Sequence, residues 1–505
     1  MAIFFIDGFD KYMPATTSGN VNNNNNVYLG ALMAGEWNSL SGGGLQGVFI
    51  GNPLSATGGS LTFNGPTGVT NAQKTLANLA TLIGGVRFNA ALSNAGDMIR
   101  FQDAGSIQGA LTLNTNGTIT IKGANGATVA TSTQSVSSGT THYLEWSITF
   151  ASSGAYQVWL DGTQILSGTA NFKQSANAYL SQMLLGVFSS TTNMVVSYDD
   201  LYLDDGTGSI LGTNPVVETH TETSDSQAQF SVGASVFGAW VNYSNSTNAP
   251  GANQLFFRAF TPSANGNLAS VSTIPAATSA GANFKAVVYA DSSNKPGSLL
   301  ATGNQVTGTT SGSVLTSTFT SPPALTAGTQ YWIGFITDTS VALQLSDNST
   351  AGQRAANTYT SGAPATAPTM TTGQSDWILW GNLTGVTSHT YEVTQNAPLG
   401  YLGDYSYVQS NTVGQEDLFN VAALVSNPSQ IYTVAVKGFL RDSDAGSRTV
   451  TLQTKSGGVD SGGTAFTPST TYQWFGSYWA TDPNGNTAWT VNNLNNALDG
   501  YKIAS

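Results

Sequence analysis

Residues 194–219 read MVVSYDDLYLDDGTGSILGTNPVVET. Val195, Ser197, Asp199 and Leu201 alternate with Val196, Tyr198, Asp200 and Tyr202, the period of a strand. The run ends in Asp204-Asp205-Gly206, a turn signal, because Asp tolerates unusual backbone angles and Gly supplies positive φ. Gly212, Asn214 and Pro215 then interrupt regular structure. The stretch reads as the closing strand of one domain and the join to the next. It also holds the densest acid cluster of the chain: Asp199, Asp200, Asp204 and Asp205.

Working back from it, strand signals are dense from Met98 onward. MIRFQD, ALTLNTNGTITIKGANGATVATS, HYLEWSITF and AYQVWLDGTQIL follow one another. Asn116-Gly117, Asn125-Gly126 and Asp161-Gly162 lie between alternating runs and favour tight hairpin turns. In HYLEWSITF, Leu144, Trp146, Ile148 and Phe150 share one face, and Glu145, Ser147 and Thr149 the other. That pattern predicts a sheet buried on one side. Regularly spaced hairpins predict a sandwich. Further back, Gln73 to Leu82 has helix-like spacing, with Leu76, Leu79 and Leu82 or Ile83 on one side, although its place before Val86 also suits a strand edge. Val21 to Tyr28 reads as a polar loop and Ala2 to Ile6 as a first strand.

Composition narrows the function classes. Charged residues make up 8% of the 505 residues, against roughly 25% in an ordinary soluble protein. Gly, Ser, Thr and Asn supply a polar, uncharged surface that suits extracellular or virion β proteins. The net charge is −12 and the 15 basic residues are scattered. Nucleic-acid binding needs a clustered basic footprint, so it is set aside. The absence of cysteine excludes disulfides and thiolate metal sites. MAIFFIDGFD lacks a basic leader and has Asp7 inside its apolar run, so no signal peptide is expected, and folding is expected in a cytoplasm without export. No apolar stretch reaches the ~18 residues of a membrane span.

The order GTITIKGANGATVATS, THYLEWSITF, GAYQVWLDGTQILSG and VVSYDDLYLDDGTG resembles a laminin-G or concanavalin-like jelly roll. FIDGFDKY is similar to the first strand of such domains, which the resemblance pairs with the last. YDDLYLDDGTG through ILG further resembles structural proteins of tailed bacteriophages. The resemblance spans about two-fifths of the chain and implies a virion protein.

The chain is expected to be all-β, with three tandem jelly-roll-like sandwiches. The borders are 1–215, a polar linker at 216–228, a middle unit at 229–385 and a C-terminal sandwich at 386–505. The middle unit resembles modules of bacterial surface and phage adhesion proteins, some of which bind glycans. The third resembles the C-terminal domain of the same phage proteins, in which the outer regions lie close in sequence. That implies a middle unit inserted between about His220 and His389. In the third, IYTVAVKGFLRDSDAGSRTVTLQTKSGG reads as one long hairpin turning at Asp444-Ala445-Gly446. TDPNGNTAWTVNNLNNALDGYKI reads as a turn, a short helix and a last strand.

There is no G-x-S-x-G, and the three histidines, His142, His220 and His389, read as strand-end and linker residues. Triads are set by geometry, so spacing alone leaves one open. Paired carboxylates of a glycosidase find no E-x-D-x-x-E here, and Glu145 is a lone acid on its strand. No Gly-Lys pair occurs, so there is no P-loop. Calcium takes several oxygen ligands, and Asp204 with Asp205 and a turn carbonyl is the first candidate site for Ca²⁺, with Asp442 and Asp444 the second. Trp332, Trp377 and Trp380 are the candidate glycan-stacking platform of the middle unit, since aromatic faces pack on sugar faces. Trp240, Trp474 and Trp479 are further candidates, with core burial the ordinary alternative for each.

These readings converge on a non-enzymatic virion protein with no membrane or nucleic-acid partner. It is expected to be a homo-oligomer that associates with other virion proteins. The first reading is a tail-associated fibre or adhesion component touching host cell-surface polysaccharide. The alternatives are a capsid decoration or head-fibre protein, and a polysaccharide depolymerase.

Overall fold

A computed structural model of the chain describes residues 3–9, 36–42, 48–51, 54, 59–65, 69–188, 194–239, 247–275, 279–308, 313–346, 351–390, 407–444 and 446–505. The protein is nearly all β, built of packed antiparallel sheets. Of the described residues, those up to Gln229 and from 411 onward form one compact unit. Those from Phe230 to 390, with 407–410, form a second. The loop expected at Val21–Tyr28 lies outside the described residues.

In the first unit two sheets face each other. One is ordered Thr163–Ala170, Gly154–Leu160, Thr141–Thr149, Thr81–Ala90, Met194–Asp204, Ser60–Gly65 and Val48–Gly51. Ile3–Asp7 also pairs with Met194–Asp204, Ile3 opposite Asp204. The other is ordered Thr128–Ser135, Thr118–Lys122, Ser106–Leu113, Gly96–Asp103, Leu180–Val187, Thr70–Leu79 and Ser39–Gly42. Leu144, Trp146, Ile148 and Phe150 all enter the core between them, as their alternation predicts. Asp161 and Gly162 take φ of 51° and 77°, the two positive angles of a tight hairpin turn. The segment with helix-like spacing is instead the end of Thr70–Leu79 and the start of Thr81–Ala90. Leu76 and Leu82 meet in the core from separate strands.

The closing strand departs from simple alternation. Val196 and Tyr198 point into the core, but so do Leu201 and Leu203. The register shifts between Asp199 and Tyr202, and Asp200 sits at φ 50°. This bulge inserts one residue and so flips every later side chain to the other face. Tyr202 and Asp204 therefore lie on the outer face, where the sequence pattern alone puts Leu201.

The C-terminal part of this unit joins a five-stranded sheet to a two-stranded ribbon. The sheet is ordered Glu222–Ala228, Glu416–Val421, Leu498–Ile503, Val450–Ser456 and Val459–Phe466. Two expectations are corrected here. The polar linker ETSDSQAQ contains an edge strand, Glu222–Ala228, where polar side chains are tolerated. The long hairpin is not formed: Val434–Leu440 pairs with Gln473–Trp479, and Val450–Ser456 pairs with Val459–Phe466. The turn that closes the real hairpin is Gly457-Gly458, at φ 55° and 84°, a stronger two-residue turn than Asp444-Ala445-Gly446. A short helix, Val491–Asn495, precedes the last strand as expected, and the Thr490 hydroxyl accepts the Asn493 N–H at its start.

The second unit is a sandwich of its own. One sheet is ordered Leu315–Thr318, Gly266–Thr273, Leu379–Thr384, Ser231–Ala239 and Tyr407–Gln409. The other is ordered Pro296–Thr307, Asn283–Asp291, Tyr331–Thr337, Gln254–Phe260, Gly352–Ala356 and Thr371–Gln374. Phe256, Phe284, Phe335 and Trp377 fill the space between them. The outer face of the second sheet is buried as well. Leu255, Phe257, Tyr289, Trp332 and Ile336 lie against Tyr359, Ala363, Ala367 and Met370 of the segment that follows Gly352–Ala356.

Candidate functional site

The tryptophans proposed from sequence are not a platform. Trp332, Trp377 and Trp380 are 3%, 1% and 2% exposed. The indole N–H of Trp332 donates to Asp291 at 2.8 Å, and that of Trp377 to the Asn248 carbonyl at 3.3 Å. A sugar cannot reach a ring face already packed in a core. Both faces of the six-stranded sheet are covered, and Trp332 is buried on the outer one against the segment around Tyr359. Trp240 lies outside the described residues. Trp474 and Trp479 are half-buried.

Asp204 and Asp205 close a turn. Asp204 Oδ1 accepts the N–H groups of Gly206 and Gly208 at 2.9 and 3.0 Å, and Asp205 Oδ1 accepts the Thr207 N–H and hydroxyl. Calcium needs six to eight oxygens, whereas this turn aims N–H donors at its carboxylates. Among the described residues no group of three or more acidic or histidine side chains is placed to hold a metal. The turn does not fit the expected Ca²⁺ site. At the second candidate, Asp444 accepts the Gly446 N–H and pairs with Arg448, while Asp442 is buried.

Glu145 is 1% exposed on the outer face of the eight-stranded sheet. It accepts the Tyr202 hydroxyl at 2.8 Å and the backbone N–H groups of Leu211 and Gly212 at 3.1 Å. Burial raises its carboxyl above the ordinary range, against those three bonds. Ile210 and Leu211 pack beside it on Ile3, Ile83, Tyr143 and Tyr202. The residues after Gly206 thus form a strap across the sheet, and Glu145 is its anchor, not an acid waiting in a cleft. Glu145→Gln is expected to cost about 1–2 kcal/mol, because the amide turns a donor toward donors. A lower denaturation midpoint of the full chain checks it.

His142 lies between Thr140 and Asp161, with Nε2 2.7 Å from the threonine hydroxyl and Nδ1 2.7 Å from the carboxylate. The order resembles a triad, but Thr140 sends its proton to the Ser137 carbonyl at 2.7 Å. The backbone N–H groups of Gly139 and Thr140 are also spent, on Ala90 and Ser137. With the hydroxyl unactivated and no oxyanion donor beside it, the trio locks a turn. His220 pairs with Glu218 at 3.0 Å, and His389 is buried.

The surface best built for binding is the outer face of the seven-stranded sheet, which sequence reasoning missed. The register places Gln73, Leu184, Arg100, Ala110 and Lys122 side by side across five strands. Asp97, Thr112, Thr120 and Thr131 form the next row, and Gln182 and Gln102 a third. Asp97 holds the first two together. Its Oδ1 accepts the Thr112 hydroxyl at 2.6 Å and Lys122 Nζ at 2.7 Å, and its Oδ2 takes Arg100 at 2.8 Å. Burial opposes its charge, but the Lys122 and Thr112 bonds, with the Lys122 and Arg100 charges, outweigh that and hold the carboxyl below its usual range. Arg100 also lies 4.3 Å over the Phe188 ring. Asp97 thus fixes Thr112, Arg100 and Lys122 on this face. Gln73, Arg100, Gln102, Lys122 and Gln182 stand half-exposed around Thr112, Thr120 and Ala110, which are buried. Arg100 and Lys122, already held by Asp97, can meet hydroxyls without a large ordering cost. The signal in the sequence was the polar phase of these strands, but which residues meet depends on a register no single strand reveals.

No known protein family matches the sequence, and no curated protein does. Among solved structures, the chain is similar to the endo-β-1,4-glucuronan lyase of the fungus Trichoderma reesei. The identity is 15% and the TM-score 0.28, over 33% of this chain and 90% of that one. It is also similar to the cellulose induced protein Cip1, with 13% identity and TM-score 0.28 over 34% and 91% of the two chains. A third is the alginate lyase Aly36B, with 14% identity and TM-score 0.27 over 39% and 95%.

Proposed function

We propose that this chain is a non-enzymatic structural protein of a tailed-bacteriophage virion. It is a tail-associated fibre or adhesion component that touches host surface glycan and assembles with other virion proteins. The observation that carries the glycan contact is the shelf on the seven-stranded sheet, where Arg100 and Lys122 are fixed by Asp97 among half-exposed glutamines. Such a face offers many hydrogen bonds and no deep pocket, which suits a long polar polymer held at many weak points. The virion setting is supported by the likeness of YDDLYLDDGTG and its flanks to phage structural proteins, and by the polar, uncharged composition. Glu145, the one acid a depolymerase reading singled out, is spent on the strap.

The test is binding of the full chain to O-antigen and capsular polysaccharide from bacterial hosts, by calorimetry. Lys122→Gln is expected to weaken the interaction several-fold while leaving the melting temperature within a few degrees. Equal affinity in the variant, or no binding to any host polysaccharide, would sink the reading. Electron microscopy of particles labelled with antibody against the chain separates tail from head.

A further inference from the structure

We infer that the glycan met by the outer face of the seven-stranded sheet is acidic, and that a carboxylate on it seats between Arg100 and Lys122. The inference rests on the sheet-face reading and names the ligand class which that reading leaves open. Charge on this face is sparse and unbalanced. Within the three rows set by the register, only Arg100, Lys122 and Asp97 are charged. Two cations share one acid, so the trio carries one positive charge in excess. The excess lies outward: the side chains of Arg100 and Lys122 are 22% and 26% exposed, and that of Asp97 only 9%. An approaching polymer meets the cations before the acid. The whole chain carries −12, which opposes an acidic ligand at long range. At physiological salt the screening length is about 8 Å, so the trio decides the contact.

The cations keep donors in hand. Arg100 uses Nε and Nη2 on Asp97 Oδ2, both at 2.8 Å, and Lys122 uses Nζ on Asp97 Oδ1 at 2.7 Å. A guanidinium has five N–H donors and an ammonium three. Among the described residues, Nη1 of Arg100 and the other two Lys122 protons have no acceptor. Arg100 lies 4.3 Å from the centre of the Phe188 ring, a contact that holds the guanidinium without using a donor. Ala110 stands between the two cations in the row. It is buried and brings no polar side chain to compete.

The acid already present shows the shape that fits. Asp97 gives one oxygen to each cation. A second planar carboxylate, on the solvent side, can do the same. Two cations and two carboxylates then alternate, and the excess charge is neutralised. Charge-assisted bonds of this kind are about twice as strong as neutral ones. A neutral sugar offers only hydroxyls and leaves the excess uncompensated. The amides of Gln73, Gln102 and Gln182 are half-exposed and, among the described residues, make no hydrogen bond. They remain for the hydroxyls of neighbouring sugar rings.

The experiment is titration calorimetry of the full chain with acidic and neutral capsular polysaccharides and O-antigens from bacterial hosts. Each acidic polymer is used native and after carboxyl reduction, which turns every sugar carboxylate into a neutral hydroxymethyl group and keeps the linkages. The native acidic form is expected to bind at least ten-fold more tightly than its reduced form. Lys122→Gln should lose several-fold on the native polymer and at most two-fold on the reduced one, because the charge it removes has no counterpart there. Arg100→Gln carries the same expectation and serves if the first variant fails to fold. Equal affinity for native and reduced polymer, or tightest binding to a neutral one, overturns the inference and leaves the sheet-face reading intact. Binding to no host polysaccharide overturns both.

Discussion

Asp200→Ala is expected to destabilise the first unit by about 3–5 kcal/mol, the range for removing one partner of a buried ion pair. The side chain of Asp200 is 0% exposed and that of Arg87 15%, with Arg87 Nε 2.5 Å from Asp200 Oδ2. Asp200 Oδ1 accepts the Val217 N–H at 2.8 Å, and the same guanidinium donates to the carbonyls of Asn214 and Pro215 at 3.3 Å. Arg87 also lies 5.4 Å over the Tyr143 ring. One pair therefore holds the far end of the strap that Glu145 holds at its near end. Removing the carboxylate leaves a guanidinium stranded under the strap and the Val217 N–H without its acceptor. It also places alanine at φ 50°, a left-handed angle that Asp and Asn tolerate through local side-chain hydrogen bonds and alanine does not. Asp200→Asn separates the terms, since asparagine tolerates this backbone angle and keeps an acceptor while losing the charge. It should cost clearly less than alanine. Chemical denaturation of the three chains checks the order: wild type, then asparagine, then alanine. Equal midpoints for wild type and alanine would mean that the strap contributes nothing.

The same bulge shows how far a sequence can be read. Trp146, Leu144 and their neighbours alternate cleanly, and the first sandwich was legible from them. The closing strand was legible as a strand, but its faces were not. Nothing local distinguishes Asp199-Asp200 as a pair inside a pleat from the same pair at a bulge. That choice is made by the Arg87 guanidinium on another strand, 113 positions away. The ribbon repeats the lesson. Val434–Leu440 reads as the first arm of a hairpin because Asp444-Ala445-Gly446 follows it as a turn signal. The stronger signal, Gly457-Gly458, closed a different pair. The binding surfaces suffered more than the fold. Tryptophan identity does not reveal burial, which depends on what covers a sheet, and Trp332 is covered by the segment around Tyr359. Arg100 and Lys122 are 22 positions apart, and only their shared register with Ala110 makes them neighbours.

The C-terminal sheet carries the second large effect, a stability that falls as pH rises toward neutrality. The register puts Glu222 opposite Val421 and Asp225 opposite Phe419. It also puts Asp417 opposite Tyr501 and Asp499 opposite both Phe419 and Thr454. Four carboxyls therefore share one face of three neighbouring strands, while Glu416, Lys455 and Lys502 take the other face. Burial pushes Glu222 up to about 7, helped by the charge of Asp499 and opposed by its own backbone N–H. Burial likewise raises Asp499 to about 6, against a bond from Thr454. The sign follows from proton counts. Each group holds its proton more tightly folded than unfolded, so the native state binds more protons between the unfolded value near 4 and the folded one. Stability then falls with rising pH across that interval. The effect is fully developed above about pH 7 and absent below about pH 4. Shifts of about two units correspond to roughly 2–3 kcal/mol for each group, at the low end because both side chains keep some solvent contact. The two titrate together, so the sum is smaller than twice that. Asp97, held low by Lys122 and Arg100, acts in the opposite sense only at more acid pH. The melting temperature is therefore expected to be higher at pH 5 than at pH 8. Amide exchange, corrected for its intrinsic pH dependence, should place the change in Glu416–Val421 and Leu498–Ile503. Asp499→Asn with Glu222→Gln should flatten the profile and raise stability at pH 8. A double variant that keeps the wild-type slope would show that these two carboxyls do not carry it.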